Sequence, residues 1–334
     1  MASLKRRLIS IPLVILLLPI CVLLIPVAFV YSLVSDLRGG RKALPTFRLW
    51  LFTIVYILHE WVVIPLSALL WLRGGFGRSL NMPLHSRIQG RWVGSLLWWA
   101  GRLLDVSVEW PDHDSFPDGK VVVLSRHASM IDAVLPGHLF PSRLDRPVHY
   151  VLKRELMWLP SIDIFGHRLG NHFVDRSGDT EREVAAIVDL IDNAEQNAGI
   201  VIFPEGTYAT PTTRQRVIAS LERRGDTELV EFAEQLEYLL PPKPAGALAL
   251  LQRVEDVVIF GHIGLEGVAE FKGLRHNLPA TRPIHTMAWP FQISDLPDLD
   301  DARIEWLRER WVALDAWVSE QHVVRGTAPH LSGS

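Results

Sequence analysis

From Leu8 to Ser35 the chain carries no charged residue. A helix over that run would reach about 40 Å, against about 30 Å of hydrocarbon in a bilayer, so it is long enough to cross. Pro12, Pro19 and Pro26 recur at seven-residue spacing, which puts them on nearly one face and predicts a bend. Lys5, Arg6 and Arg7 precede the run, as they would in a signal peptide. The run is far longer than a signal core of about 7–15 residues, and no small-x-small cleavage site follows, so an uncleaved inserted segment is expected. A second apolar stretch, Leu49 to Leu72, carries His59 and Glu60 near its middle. An acid at mid-bilayer costs several kcal/mol unless neutral, paired or near water. This stretch therefore spans, re-enters or lies at the interface, and a membrane-embedded hairpin or anchor over residues 1–73 is the expected arrangement. Residues 74–110 read as a linker, Gly- and Arg-rich to residue 91, followed by an amphipathic helix from Trp92 to Leu104. That helix rests either on the membrane or on the main domain.

Beyond residue 110 the pattern alternates. Short β-branched runs at Val121–Leu124, His172–Val174, Ile200–Phe203, Val257–Phe260 and Thr286–Ile293 predict strands. Apolar positions at helical spacing predict helices at Ser129–Leu135, Glu183–Glu195, Asp226–Leu239, Ala245–Leu251 and Asp300–Gln321. Asp179 or Thr180 would cap the second of these. Strand and helix in turn imply an α/β domain over residues 111–325, with a mixed or parallel sheet flanked by helices. Residues 326–334 read as a tail.

Composition narrows the classes. A net charge of −3 over 334 residues carries none of the basic excess of a nucleic-acid binder. The single cysteine, Cys21, permits no intrachain disulfide, and no zinc-ligand spacing is present. His167 and His172 are near in sequence, but no Glu or Cys completes a metal set. No phosphate-binding Walker loop or dinucleotide fingerprint occurs. The 12 tryptophans concentrate near the apolar segments, at Trp50, Trp61, Trp71, Trp92, Trp98 and Trp99, as suits a side chain that favours the membrane interface. If both apolar segments cross, the outer flanks (Lys5, Arg6, Arg7 and Arg73, Arg78, Arg87, Arg91) share a side and outnumber the loop's Arg38, Arg41, Lys42 and Arg48. That bias places the main domain on the cytosolic face.

Three segments carry candidate chemistry. At the end of the first strand, His127 and Asp132 stand five residues apart. On one continuous helix they would diverge by about 140°, but on a strand–turn–helix corner they can meet. The acid would then fix the imidazole tautomer and leave the second ring nitrogen as a base for an alcohol. Gly170, Phe173 and Arg176 surround the second strand, and Phe203-Pro204-Glu205-Gly206-Thr207 follows the third. Ligands bind beyond the carboxyl ends of strands in such sheets, so the three loops can line one pocket. Alone, each has an ordinary reading: a surface histidine with a helix-start acid, a solvated arginine, a turn.

In this order the blocks resemble the glycerolipid acyltransferase family, which carries His-x4-Asp, then Gly-x2-Phe-x2-Arg, then Phe-Pro-Glu-Gly-Thr. The resemblance runs from about Val121 to Leu265. It implies His127 as general base and Asp132 as its orienter. It implies a phosphate contact for Arg176, and an acceptor site shaped by Gly170, Phe173, Glu205, Gly206 and Thr207. The implied reaction is direct attack of a lysophospholipid hydroxyl, most simply that of 1-acyl-glycerol-3-phosphate, on an acyl-CoA or acyl carrier protein thioester, with no cofactor. The lack of a Gly-x-Ser-x-Gly elbow agrees with direct transfer. The implied partners are the acceptor, the donor and the lipid bilayer, with no nucleic acid and no metal.

The departures bear on the acceptor. Arg126 stands where the family often has Asn, and Tyr208-Ala209 where it often has Arg-Ser. Asp256–His262 lacks the Val-Pro pair of the last block. Pro242-Lys243-Pro244-Ala245-Gly246 is similar to a stretch of a subgroup that acylates other lysophospholipids, which makes Lys243 a phosphate candidate. Other acceptors (glycerol 3-phosphate, another lysophospholipid, an ornithine lipid or a glycolipid) and a non-catalytic lipid-binding protein of this fold remain alternatives.

Overall fold

The computed structural model describes residues 2–76, 80–175, 180–254, 256–268 and 271–326. The first apolar run forms α1 (Ala2–Leu23) and α2 (Ile25–Arg38). Pro12 and Pro19 lie inside α1, whereas the break falls at Leu24, two residues before Pro26 in the first turn of α2. There the missing proline N–H costs nothing, because the first helical N–H groups lack intrahelical partners anyway. The second run forms α3 (Pro45–Arg73). Ser3–Leu23 and Pro45–Arg73 are each long and apolar enough to cross a membrane. Trp50 and Trp61 donate from α3 to the carbonyls of Cys21 and Val14 on α1, so the two helices lie antiparallel.

The next helix, α4, runs Met82–Leu104, with Asn81 accepting from the Leu84 N–H as its cap. The linker expected as far as residue 91 therefore becomes helix from Met82. Gly90 and Gly94 obscured the helical pattern. They are needed for close packing, since a Cβ at Gly90 would sit 2.6 Å from Ser142 Oγ and one at Gly94 3.1 Å from His138. The amphipathic stretch Trp92–Leu104 thus packs on the main domain.

The described residues then form one seven-stranded sheet. Its strands are β1 (Val108–Glu109), β2 (Val121–Ser125), β3 (Val148–Lys153), β4 (His172–Val174), β5 (Gly199–Ile202), β6 (Asp256–Ile263) and β7 (Ile284–Gln292). The order is β1-β7-β6-β2-β5-β3-β4, parallel throughout except between β6 and β7. The intervening helices are α5 (Val134–His138), α6 (Pro160–Arg168), α7 (Thr180–Asn193), α8 (Pro211–Arg224), α9 (Thr227–Gln235), α10 (Pro244–Leu251), α11 (Phe271–Asn277) and α12 (Asp300–Arg325). Alternate residues of the central strands serve two cores. Val122, Leu124, Ile200 and Ile259 meet Ile191, Leu250, Trp311 and Leu314 on one face. Val121, Val123, Val201 and Phe260 meet Leu135, Leu139 and Phe140 on the other. The mixed α/β architecture read from the sequence is the observed one.

Two boundaries differ for physical reasons. The helix expected at Ser129–Leu135 begins only at Val134, because Asp132 turns its carboxylate back onto Ser129. The helix expected over Asp226–Leu239 ends at Gln235. The N–H groups of Glu237, Tyr238 and Leu239 are bound instead by the Asp315 carboxylate on α12.

The hairpin of α1, α2 and α3 is tied to the main domain at both ends. Near the start of α1, Arg6 and Arg7 both bond the buried Asp163 of α6. Halfway along α3, Glu60 accepts from the Ser161 N–H at 2.8 Å and its hydroxyl at 2.5 Å. At the turn between α2 and α3, Asp36 lies 3.8 Å from Arg275 of α11, and Arg48 bonds Asp105 at 2.8 Å. The acid inside the apolar segment is thus paired, as its cost in lipid requires.

Candidate active site

β2, β3, β4, β5 and β6 run parallel, so their carboxyl ends share one edge of the sheet. The chain leaves β2 at Ser125, and His127 sits two residues on, in the turn. Its Nδ1 lies 2.9 Å from Asp132 Oδ2. The same carboxylate accepts from the Ser129 N–H at 2.8 Å and the Ser129 hydroxyl at 2.5 Å. Burial pushes the Asp132 pKa up. Attraction to His262 and the bonds from His127 and Ser129 outweigh that, and the net shift is downward. Asp132 therefore stays ionised and serves as the acceptor facing His127 Nδ1. Nε2 is left as the basic nitrogen, on a side chain still 11% exposed.

The loop after β5 frames this pair from the other side. Glu205 is buried and bridges two segments: one oxygen accepts the His127 N–H at 2.8 Å, the other the Leu240 N–H at 2.9 Å. Burial pushes its pKa up to about 8, against the pull of those donors and of Arg126. Gly206 closes the turn with φ +68°, a conformation that favours glycine. The Ala209 N–H donates to the His127 carbonyl at 2.9 Å. Glu205 and Gly206, read as acceptor-site residues, thus also build the ground under His127. The Phe203 and Tyr208 rings flank the imidazole at 4.6 and 5.7 Å. Thr207 lies on the same turn. Lys243 reaches back over it, its Nζ 3.2 Å from where a Gly206 Cβ would be.

Gly170 and Phe173 are placed differently. Gly170 ends α6 with φ +72°, and Phe173 stacks on His167 at 4.8 Å. Both anchor β4 to α6 and make their contacts within the domain. Arg176 and Asp179 lie outside the described residues, as does the side chain of Thr180. His172 bonds Glu183 at 2.7 Å, which accounts for it without a metal.

Several residues of the site were not singled out from the sequence. Lys153 ends β3, with Nζ 5.1 Å above the Tyr208 ring. The strand was missed because His149, Tyr150 and Lys153 interrupt its apolar run, and its lysine with it. His262 on β6 is fully buried, with Nε2 3.6 Å from Asp132 Oδ1. Burial lowers its pKa, against the pull of the Asp132 carboxylate it faces. Arg126, a departure from the family pattern, is buried too. It pairs with Glu266 at 2.5 Å and also bonds the His262 carbonyl. It braces the turn from behind, away from the exposed side of His127.

Comparison with known proteins agrees with this fold. Residues 107–260 match the family model Acyltransferase. An uncharacterized acyltransferase of Schizosaccharomyces pombe is 24% identical over 183 residues, 50% of this chain and 50% of that protein. The chain thus matches about half the length of that relative. The crystal structure of the 1-acyl-sn-glycerophosphate (LPA) acyltransferase PlsC from Thermotoga maritima superposes with a TM-score of 0.54. The match is 16% identical and covers 85% of this chain and 97% of that one, a likeness of fold. The match to the Acyltransferase model over residues 107–260 and this likeness of fold agree with the resemblance to the glycerolipid acyltransferases that the three motif blocks carry.

Proposed function

We propose that the chain moves a fatty acyl group from an acyl-CoA or acyl carrier protein thioester to the free hydroxyl of a lysophospholipid, with 1-acyl-glycerol-3-phosphate as the first acceptor. The observation that carries this reading is the His127–Asp132 pair at 2.9 Å. It stands at the sheet edge where substrates of such folds bind. In the reaction, His127 Nε2 takes the proton of the acceptor hydroxyl as its oxygen attacks the thioester carbonyl. Collapse of the tetrahedral intermediate breaks the C–S bond and returns the proton from Nε2 to the departing thiolate. Lys153 and Lys243 stand close enough to Tyr208 and Gly206 to attract a phosphate to the same edge. Arg176 is assigned the acceptor's phosphate by the motif it completes.

Two measurements test the acceptor. A phosphate held by charged donors should favour 1-acyl-glycerol-3-phosphate over the matching 1-acylglycerol by roughly 10–100-fold in kcat/KM. Equal values would remove the phosphate from the reading. Arg176→Ala should raise the acceptor KM by a similar factor, roughly 10–100-fold, with kcat little changed. An unchanged KM reassigns the arginine.

The hairpin suggests how the enzyme meets its lipid. If α3 crossed the bilayer, the turn near Lys42 would stand about 30 Å from the main domain. Asp36 and Arg48 instead touch that domain at the turn, as Arg6 and Arg7 do at the other end. We read α1, α2 and α3 as lying along one leaflet on the cytosolic face, their exposed apolar side chains in lipid, in place of a full crossing. The protein should then resist an alkaline wash. On a Cys21→Ser background, Ser3→Cys and Lys42→Cys should both react with an impermeant maleimide from the same side. Reaction from opposite sides would restore a spanning hairpin.

A further inference from the structure

We propose that a cavity between the start of α1 and the segment after β3 binds the phosphate of an anionic membrane phospholipid, outside the His127 centre. The proposal rests on the hairpin meeting the membrane, not on acyl transfer. The cavity has a volume of about 430 Å³ and is lined by Lys5, Arg6, Ile9, Arg154, Glu155 and Trp158. Three of these are basic and one is acidic.

The surroundings add to the positive charge. Arg6 and Arg7 share the single carboxylate of Asp163, at 2.8 and 3.0 Å, so one charge neutralises only one of the two guanidinium groups. Arg168 of α6 lies close enough to Arg7 for its own pKa to be lowered, first by burial and then by that repulsion. Arg154 is tied to Asp175, which cancels part of its charge but also orients it. An arginine cluster of this kind is suited to phosphate oxygens.

The apolar part of the lining identifies which phosphate. Ile9 is 56% exposed and Trp158 55%. From Ile9 the exposed side chains of Leu13, Leu16 and Ile20 continue along α1. A basic pocket rimmed by an indole and opening onto an apolar helix face matches a phospholipid at the bilayer surface: phosphate inside, chains along α1. A free phosphate would use only the first half of that lining.

The full chain, purified in non-ionic detergent, can be mixed with phosphatidylglycerol or with phosphatidylcholine of the same chains, and retained lipid counted by native mass spectrometry. One phosphatidylglycerol should be held in preference to phosphatidylcholine. The double variant Lys5→Ala, Arg154→Ala should weaken that retention by roughly 30-fold, the weight of two basic side chains near an anionic headgroup. Lys5→Ala alone, at an exposed position in the first turn of α1, should give a partial loss that Lys5→Arg restores. Equal retention of the two lipids, or a double variant that holds phosphatidylglycerol as the unaltered chain does, overturns the proposal. Retention of inorganic phosphate alone, offered in place of lipid, overturns the lipid assignment. No turnover is read, so failure of the acyl-transfer reading would leave this result standing, and the reverse.

Discussion

His127→Ala is expected to lower kcat for acyl transfer by roughly 10²–10⁴-fold, the usual weight of a positioned general base. Fold and membrane retention should be unaffected. The structure explains why the two can be separated. The bonds that knit this turn into the domain are made by the His127 main chain, whose N–H meets Glu205 and whose carbonyl meets Ala209. Alanine keeps both. What it removes is the imidazole, whose ring bonds Asp132 and touches Phe203 and Tyr208. Asp132→Asn should fall in the same direction, because an amide cannot accept from Nδ1–H and from the Ser129 N–H and hydroxyl together. A His127→Ala protein with the same melting temperature and full transfer would falsify the assigned base.

Glu205→Ala is expected to be the most destabilising change at the site. It strips the acceptor from two buried backbone N–H groups, those of His127 and Leu240. At about 1–3 kcal/mol for each buried donor left unpaired, the loss is roughly 2–6 kcal/mol. Activity should fall with it, since the same bond sets the height of His127. A pH effect accompanies the stability effect. The Glu205 pKa rises on folding from the ordinary 4.5 to about 8, so the folded state holds this proton more tightly than the unfolded one. Its contribution to stability is then complete below about pH 4.5 and is lost as the pH climbs toward about 8. Melting temperatures measured between pH 5 and 9 should decline more steeply for the unaltered protein than for Glu205→Gln, which cannot ionise. Parallel curves would mean that Glu205 is already charged in the folded state, held so by its two backbone donors.

How much of this could be read in the sequence depended on whether a residue's surroundings were local. His127 and Asp132 were legible because five residues and a strand end determine their meeting. Glu205 was legible as part of a motif, but the two hydrogen bonds it accepts from His127 and Leu240 were not, because those partners are 78 and 35 residues away. Helices with a buried stripe, such as α7 and α12, stood out. α8 did not, since it buries none of its residues fully, although Thr210, Pro211 and Gly225 mark both its ends. The extended stretch after α9 was read as helix because nothing near it in sequence reveals Asp315, which binds its N–H groups from α12. Likewise, Glu60 looked like a cost to the apolar segment until Ser161 supplied its partner.

The central claim is that an imidazole at the end of β2 passes an acyl group directly from sulfur to a lipid hydroxyl. Purified protein with labelled acyl-CoA and 1-acyl-glycerol-3-phosphate tests it most directly, with free thiol and acylated lipid counted over the same time course. The account predicts one thiol for each newly esterified hydroxyl, no thiol burst before acceptor is added, and no label on the protein. Thiol released without acylated lipid, or label recovered as an acyl-protein, would contradict it.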